Sequence, residues 1–417
     1  MREHGDATTG PSPVDQAAVR RGNLARVLAE IRRPGGHSRA ALAATTGLTK
    51  ATVSSLVAEL IRRGLVRESG LRQEGVVGRP GRLLELDGAS LAALGLEIGA
   101  NYLAVRGVDL ADRVLLDRRV GFDAVRAGAA GAVDELAELT ADALAELRRA
   151  RIEVVGIGVA VPGLADIATG TVHYAPNLLW QDVPVADRLR ERLGTAGDVA
   201  VLVDNEANLS ALAEFRRDPV TDLVYLTAGI GVGAGLIADG ALLRGATGFS
   251  GEVGHLPVDP AGGACGCGRH GCLETKIGLA AVVRAGAPDL LDAPRDPEEL
   301  AAALRHRAEA GQPRVLEALD DVGRWLGIGT SILVNLLNPG AVVLGGYFAA
   351  VAPYVVPAAM RELRSRAVAG EAAICRITGS AFGFGAAVRG GASVIADRVF
   401  DDPTAARLRA GPGVESA

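Results

Sequence analysis

The chain has 417 residues, 49% hydrophobic but only 3% aromatic, which predicts two or three domains with cores of Ala, Val and Leu. Its net charge of −5 hides an asymmetry, because residues 1–87 contain 14 Lys and Arg against 9 Asp and Glu, leaving 30 against 40 for the remainder. A basic front on an acidic body indicates a polyanion partner for the front alone. The most membrane-like run, residues 225–243, contains five glycines and Asp239, so no membrane span is expected.

Residues 1–17 lack periodicity and are predicted to be a disordered tail, after which three helices follow. The first helix runs from Val19 to the break at Pro34, and Ser38 caps a second helix over residues 39–45. Gly47 makes a tight turn, and Thr49 caps the third helix. Apolar side chains at helical spacing define the buried faces of the first and third helices: Leu24, Val27, Leu28 and Ile31, then Val53, Leu56, Val57, Leu60 and Ile61. Helix, short turn and helix form a helix-turn-helix, whose second helix reads the major groove.

Two short strands, at residues 65–66 and 83–86, complete a winged helix-turn-helix domain over residues 18–87. The wing carries arginines on a Gly/Pro-stiffened loop, which suits a narrow minor groove. The expected partner is double-stranded DNA, a palindromic operator read by a homodimer or a dimer of dimers. The candidate DNA-binding residues are Ser38, Arg39, Thr49, Lys50, Thr52, Ser54, Ser55, Arg79 and Arg82. The alternatives are a helical protein-interaction module for the whole unit and a solvated loop charge for each arginine.

Residues 92–400 alternate strands and helices, which predicts an α/β body of two lobes with a cleft between them. A strand hairpin is expected over residues 94–120, and buried strands at residues 154–161, 199–204, 223–227 and 341–344. Asn177 and Trp180 are expected in a loop. Residues 401–417 are predicted to be a loose tail.

A metal cluster is predicted between Gly251 and Gly278. His255, Cys265, Cys267 and Cys272 lie close together in sequence, and one imidazole with three thiolates completes the tetrahedral shell of a closed structural zinc site. We therefore expect one structural Zn²⁺ per chain. The alternatives are a glycine-rich loop with ordinary reduced cysteines, and a disulfide, which neighbouring cysteines would strain. Free cysteines at metal spacing without a secretory leader predict a cytoplasmic protein, on the nucleoid when it is bound to DNA.

The run Gly-Glu-x-Gly-His that ends at His255, followed by Cys-x-Cys-Gly-x-x-Gly-Cys-x-Glu, resembles the ROK family of repressors, open reading frames and kinases. The front is similar to the winged helix of ROK-type repressors, including Ser-Arg-x-x-Leu-Ala from Ser38 and Val-Gly-Arg-Pro from Val77. The resemblance covers roughly residues 20–395 and implies a two-lobed, actin- or hexokinase-like (ribonuclease H-like) kinase-type body that binds a sugar. The sugar contacts that it implies are Asn177, Asn205, Glu206, Glu252, His255 and Glu274. In this resemblance His255 binds zinc through one nitrogen while the other faces the sugar.

Three departures from the kinase pattern bear on the choice between kinase and repressor. ROK kinases carry Asp-x-Gly-Gly-Thr in the first hairpin, where this chain has Glu-Ile-Gly-Ala-Asn at residues 97–101. Their second phosphate loop reads Gly-Thr-Gly, and Ile230 replaces its hydroxyl residue here. Their catalytic Asp is replaced by Glu206, whose carboxylate reaches about an ångström further, enough to misplace a catalytic base.

These departures favour a sugar-responsive transcriptional repressor, released from its operator by a sugar or sugar derivative, over an enzyme. One alternative is an active ATP-dependent sugar kinase with a fused DNA-binding domain, in which Glu206 is the catalytic base. Another is a DNA-binding protein whose body only dimerises.

Overall fold

The computed structural model describes residues 15–33, 35–71, 82–87, 90–194, 199–291, 296–368 and 375–406. The chain forms two compact units, one made of the residues before Ala92 together with those from Asp397 on, the other of residues 92–396. Within the described ranges, every helix is too short or too polar to cross a membrane.

The first unit is a three-helix bundle with a two-stranded antiparallel sheet. Its elements are α1 (Gln16–Arg32), α2 (Arg39–Thr46), α3 (Lys50–Arg62), β1 (Val66–Leu71) and β2 (Arg82–Leu86). The predicted caps are confirmed, since Ser38 Oγ accepts from Ala41 N at 3.2 Å and Thr49 Oγ1 accepts from Thr52 N at 3.2 Å. Gly47 ends α2 with φ 68°, a conformation that glycine adopts without strain. These elements form the predicted winged helix-turn-helix.

The core of this unit agrees with the predicted helix faces except at one residue. The four apolar residues predicted on α1, and four of the five on α3, are at most 4% exposed. Ile61, the fifth, is only partly buried because it lies in the last turn of α3. The wing tip, with its predicted DNA contact Arg79, lies outside the described residues.

The residues that follow the last helix correct one expectation. Residues 401–406 were predicted to belong to a loose tail, but Ala406 is only 2% exposed. Arg63, the residue after α3, donates to the backbone carbonyls of Thr404 at 3.2 Å and Ala406 at 2.7 Å. Glu59 holds Arg63 in place with an ion pair of 2.9 Å. This part of the carboxyl end is therefore packed within the first unit.

The first lobe of the second unit is built on a five-stranded sheet. Its elements in chain order are β3 (Leu91–Ile98), β4 (Tyr102–Asp109), β5 (Val114–Gly121), α4 (Ala124–Arg149), β6 (Glu153–Val161), β7 (Leu164–Asp166), β8 (Thr171–Ala175), β9 (Trp180–Val183), α5 (Val185–Leu193) and β10 (Ala200–Asn205). The sheet order is β10-β6-β3-β4-β5, while β7, β8 and β9 form a separate antiparallel sheet.

The second lobe is built on another five-stranded sheet, ordered β13-β12-β11-β14-β15. Its elements are α6 (Glu206–Arg217), β11 (Leu223–Ala228), β12 (Val232–Ala238), β13 (Ala241–Leu242), α7 (Glu274–Ile277), α8 (Leu279–Gly286), α9 (Pro297–Glu309), α10 (Pro313–Leu337), β14 (Ala341–Gly346), α11 (Tyr347–Arg366), β15 (Arg376–Gly379) and α12 (Ala386–Asp401). Each sheet contains three antiparallel strands that are consecutive in the chain, β3–β5 in the first lobe and β11–β13 in the second. In each sheet a pair of parallel strands, β6 with β10 and β14 with β15, is added beside the first of the three. This repeated topology confirms the two-lobed, kinase-type body.

Glycines let α12 lie directly on the first sheet. A Cβ at Gly95 would stand 1.8 Å from the Val388 carbonyl oxygen, and one at Gly158 would stand 2.2 Å from that of Gly391. Neither position has room for a side chain, so the helix packs backbone against backbone with strands β3 and β6.

One stretch of the body differs from the sequence expectation. The segment with Asn177 and Trp180 was predicted to be a loop, but Trp180 begins β9 and Asn177 lies in a 3-10 turn, Pro176–Leu178. The three strands of this sheet span three to five residues each, and exposed polar residues such as His173 and Gln181 interrupt them. Such short segments carry too little alternation for the pattern to be recognised.

Candidate functional site

The predicted metal cluster is assembled. One ligand atom each from His255, Cys265, Cys267 and Cys272 lies within 4.8 Å of all the others. The sulfurs of Cys267 and Cys272 are 3.7 Å apart, which matches the separation of about 3.8 Å between two thiolates on one tetrahedral zinc ion. Gly271, at φ 69°, makes the turn before Cys272, and a Cβ there would lie 1.7 Å from the Asp259 carbonyl oxygen. The four residues thus fit a metal ion.

His255 and Glu274 connect this cluster to the neighbouring cleft. Nδ1 of His255 lies 3.7 Å from Cys265 Sγ, while its Nε2 is 3.9 Å from Glu252 Oε2. One ring nitrogen therefore faces the cluster and the other faces a cleft carboxylate. Glu274, at the start of α7, places Oε1 3.6 Å from Cys265 Sγ, and its Oε2 accepts from Val232 N at 2.9 Å. Both side chains therefore contact the cysteine loop as well as the cleft.

The outer cavity of the cleft brings the six predicted sugar contacts together. Its lining includes Asn177, Asn205, Glu206, Glu252, His255 and Glu274. Asn205 is the last residue of β10, and Glu206 follows it. This strand pairs in parallel with β6, whose own end leads to Pro162 and Gly163. Ligands of open α/β sheets bind at such carboxyl ends. Carboxylate, amide and imidazole groups on one concave surface suit a polyhydroxylated ligand.

Asn205 is largely committed to the fold. Its Oδ1 accepts from Ala207 N at 2.8 Å and Asn208 N at 3.2 Å, capping α6, and its Nδ2 donates to the Gly163 carbonyl at 2.9 Å. Asn177 is placed differently, because its side chain approaches Gly231, where a Cβ would lie 2.6 Å from Nδ2. The side chain of Asn177 can therefore occupy this position only because residue 231 is a glycine.

Glu206 is the most strongly perturbed acid in the cleft. Burial, and then the nearby carboxyls of Glu97 and Glu252, raise its pKa to about 8. Its Oε2 is buried and has no hydrogen-bond partner within the described part of the chain. An acceptor held in this way is ready for a ligand hydroxyl.

Glu206→Gln should raise the free energy of unfolding by about 4 kcal/mol at pH 8 and leave it nearly unchanged below pH 4.5. In the unfolded chain Glu206 ionises around its ordinary pKa of 4.5, whereas in the folded protein it ionises near 8. Ionisation therefore favours the unfolded state increasingly between these pH values and by a constant amount above them, and glutamine lacks this penalty. Urea unfolding of both proteins at pH 5 and 8 measures the difference; equal free energies at pH 8 would contradict it.

An inner cavity adjoins the outer one. It contains the positions at which the chain departs from the kinase pattern, Ala100, Asn101 and Ile230. Glu97, only 5% exposed, lies in its wall and accepts from the Tyr102 hydroxyl at 2.5 Å. Burial raises the pKa of Glu97 to about 7, against the opposing effects of Tyr102, Arg119 and Arg106.

Several lining residues were not predicted from the sequence. Tyr174 and Phe249 line the outer cavity and are 50% and 39% exposed. Phe384 and Tyr102 line the inner one. Aromatic residues make up only 3% of the chain, so four of them around the two cavities is a notable concentration. Their scarcity could have drawn attention to them in the sequence, but their spacing did not indicate that they would come together.

The predicted DNA-binding residues that the structure describes lie on the first unit in three groups. Lys50, Ser54 and Ser55 are exposed on α3, and Thr52 beside them is partly buried. Ser38 and Thr49 use their hydroxyls as helix caps. The guanidinium groups of Arg39 and Arg82 converge on Glu68, at 2.7 and 2.5 Å. A basic and hydroxyl-bearing face at the amino end of α3 is what major-groove recognition requires.

Comparison with known proteins agrees with both units. The ROK family model matches residues 93–398, and the MarR family model matches residues 25–72. A putative xylose repressor of Caldicellulosiruptor sp. is 34% identical over 74% of this chain and 78% of its own length. The xylose repressor of Bacillus subtilis is 30% identical over 93% of this chain and 98% of its own.

A solved structure, described as a ROK family transcriptional regulator homologous to the Escherichia coli MLC protein, is similar over 92% of this chain and 97% of its own. The TM-score is 0.73 and the identity 25%. The family match spans most of the chain and both lobes of the body. The protein belongs to the ROK family.

Proposed function

We propose that the protein is a sugar-responsive, DNA-binding transcriptional regulator, a repressor that leaves its operator when a sugar occupies the outer cavity. The observation that carries this proposal is the convergence of six polar side chains on one cavity in a chain that also holds a winged helix. The names of the xylose repressors that share the family and most of the chain length support it. Release of the protein from operator DNA by a panel of pentoses and hexoses tests it.

The body then binds its sugar without phosphorylating it. Ala100, Asn101 and Ile230 line the inner cavity at the positions where the kinase pattern has small or hydroxyl-bearing residues for phosphate. Incubation with ATP and the same sugars should give no turnover. Turnover would favour the rival function, an ATP-dependent sugar kinase with a fused DNA-binding domain and Glu206 as its base.

The cluster next to the cleft holds one structural Zn²⁺ per chain in this proposal. Three thiolates and one imidazole form a closed tetrahedral set, which zinc favours, and no place is left for a catalytic water. The ion would fix the tautomer of His255, so that Nε2 faces Glu252 and the cleft. We further propose a cytoplasmic protein that associates with the nucleoid through its operator, because its cysteines are free and three of them lie at metal-binding spacing.

On DNA we expect a two-fold dimer on a palindrome, with half-sites about 34–36 Å apart or a multiple of this spacing. The exposed residues at the amino end of α3 would contact bases, while Arg82 and Arg79 of the wing would enter the minor groove. A dimer of dimers would join two such palindromes. Footprinting that finds one unrepeated site bound by a monomer would contradict this arrangement.

Replacing Ser54 with alanine should change the base preference of operator binding, whereas Arg82→Ala should weaken binding mainly at A·T-rich positions. A lost base contact changes discrimination by about 1–3 kcal/mol, while a lost minor-groove arginine mainly removes a favourable electrostatic interaction. Selection from a randomised operator library measures both effects. Arg67→Ala is a matched control, because Arg67 is also an exposed arginine of the two-stranded sheet, paired with Glu85 at 2.9 Å. If Arg67→Ala and Arg82→Ala weaken operator binding equally, Arg82 has no specific role in the minor groove.

A further inference from the structure

The inner cavity has no occupant in the function proposed above, although it is built like a binding site. It adjoins the outer cavity, and the two share Pro162, Asn177, Glu206 and Gly231 in their walls. A ligand that fills the outer cavity can therefore continue past Glu206 into the inner one. In a kinase-type body such paired cavities bring two substrates together, so the identity of the second occupant needs an argument of its own.

Two buried oxygens indicate what this occupant must offer. Oε2 of Glu97 and Oε2 of Glu206 are buried without a hydrogen-bond partner within the described residues, and both side chains line the inner cavity. Glu97 is only 5% exposed, and its other oxygen already accepts from Tyr102. A buried acceptor without a donor is costly, and a ligand with O–H donors removes that cost. The sugar of the outer cavity can reach Glu206, but Glu97 lines only the inner cavity.

The charges around the cavity disfavour both a phosphate and a free cation. None of the described residues that line it is a Lys or an Arg, so the cavity offers no cationic side chain to a nucleoside phosphate. Behind the wall, Arg119 stacks on the Tyr102 ring, 3.5 Å from its centre. Its positive charge, which is also paired with Asp296 at 2.9 Å, partly offsets the negative charge of Glu97. The cavity consequently lacks the uncompensated negative charge that an isolated cation needs.

The remaining wall is of the kind that binds uncharged polyhydroxylated rings. Tyr102 and Phe384 supply aromatic surface, while Asn101 and Thr227 supply polar groups. Apolar faces with a few convergent hydrogen-bonding groups characterise small-molecule sites. We propose that the effector is an oligosaccharide, at least a disaccharide, with one ring in the outer cavity and the next ring in the inner cavity, where Glu97 accepts a hydroxyl hydrogen. This inference rests on the proposed function and specifies its ligand class.

The test uses the full-length, metal-loaded protein and compares matched sugars: xylose with xylobiose, and glucose with cellobiose and maltose. Release of a fluorescent operator fragment is measured against sugar concentration. At least one disaccharide should release the operator at a concentration about tenfold lower than its monosaccharide. Glu97→Gln should raise the effective disaccharide concentration about tenfold and change the monosaccharide response by much less, since Glu97 acts on the monosaccharide only through the pKa of Glu206.

A second variant covers the possibility that Glu97→Gln disturbs folding. Asn101 is exposed in the turn between β3 and β4 and lines the inner cavity, so Asn101→Trp narrows the cavity without entering the core. It should abolish the preference for the disaccharide while monosaccharides still act. Glu309→Gln removes a carboxylate that pairs with Arg305 on the surface of α9, at 2.8 Å, and serves as the control without effect.

The outcomes separate this inference from the function on which it rests. If monosaccharides act as well as or better than disaccharides, and Glu97→Gln and Asn101→Trp leave every response unchanged, the inference is overturned while the regulator stands. Binding of two monosaccharides per chain by calorimetry overturns the single spanning ligand in the same way. If no sugar of either size affects operator binding, the proposed function itself fails.

Discussion

Cys272→Ser should lose the bound metal and require at least ~10-fold more sugar for release from the operator. Cys272 is fully buried, and its sulfur lies 3.7 Å from that of Cys267, so a serine hydroxyl there is a poor substitute for a thiolate ligand. The consequence reaches the cleft because Cys265 contacts both His255 and Glu274. Glu274 in turn holds the loop at Val232 by its hydrogen bond of 2.9 Å. Loss of the ion therefore disturbs two proposed sugar contacts together.

Two measurements on the same sample test this coupling, elemental analysis for zinc and operator release against sugar concentration. Cys375→Ser is a matched control, since Cys375 is also buried but lies outside the cluster, on the chain before β15. That variant should keep one equivalent of zinc and the wild-type response. A folded Cys272→Ser protein that lacks zinc yet responds to sugar at the wild-type concentration would show that the metal does not organise the site. A wild-type protein that binds sugar without any metal would do the same.

The parts of the fold that followed from the sequence are those specified by local interactions. The helices of the first unit were predicted together with their caps at Ser38 and Thr49, because a cap and an apolar stripe are properties of neighbouring residues. The packing of residues 401–406 could not be predicted in this way. It depends on Arg63, more than 300 positions away in the chain, and on two backbone carbonyls that have no sequence signature.

The candidate site likewise has a part that short motifs predicted and a part that depends on residues distant in the sequence. The six cleft residues and the four metal ligands were found because they belong to short motifs. The residues that surround them and shift their pKa values were not predicted. The pKa of Glu97, for example, depends on Tyr102 from the next strand and on Arg119 from the strand after that. Asp204 is likewise only 1% exposed and pairs with Arg244, at 2.8 Å, across 40 positions of sequence. Such pairs become visible only when the sheets are assembled.

Glu206→Gln should leave operator affinity unchanged and require roughly ten- to a hundredfold more sugar for release. The substitution keeps the size of the side chain but replaces one carboxylate oxygen by an amide nitrogen, which cannot accept a hydrogen bond. Within the described residues the wild-type Oε2 is a buried acceptor without a protein partner, so once Glu206 is ionised the ligand hydroxyl that it binds contributes about 1.5–3 kcal/mol to affinity. A sugar changes DNA binding only through its different affinities for the released and the operator-bound arrangement, and weaker contact with Glu206 reduces that difference.

Operator affinity measured against sugar concentration for wild type and Glu206→Gln decides the role of this residue. The pH adds an independent criterion, because the pKa of Glu206 is raised to about 8 by burial and by Glu97. Raising the pH from 7 to 9 ionises the wild-type side chain and strengthens its hydrogen bond to a hydroxyl, so the wild-type protein should need less sugar at pH 9. The glutamine variant has no such group at this position, and its requirement should change less over the same interval. If Glu206→Gln is released from the operator at the wild-type sugar concentration at both pH values, Glu206 is not a sugar contact. The proposed position of the sugar next to Glu206, which both cavities share, would then be wrong as well.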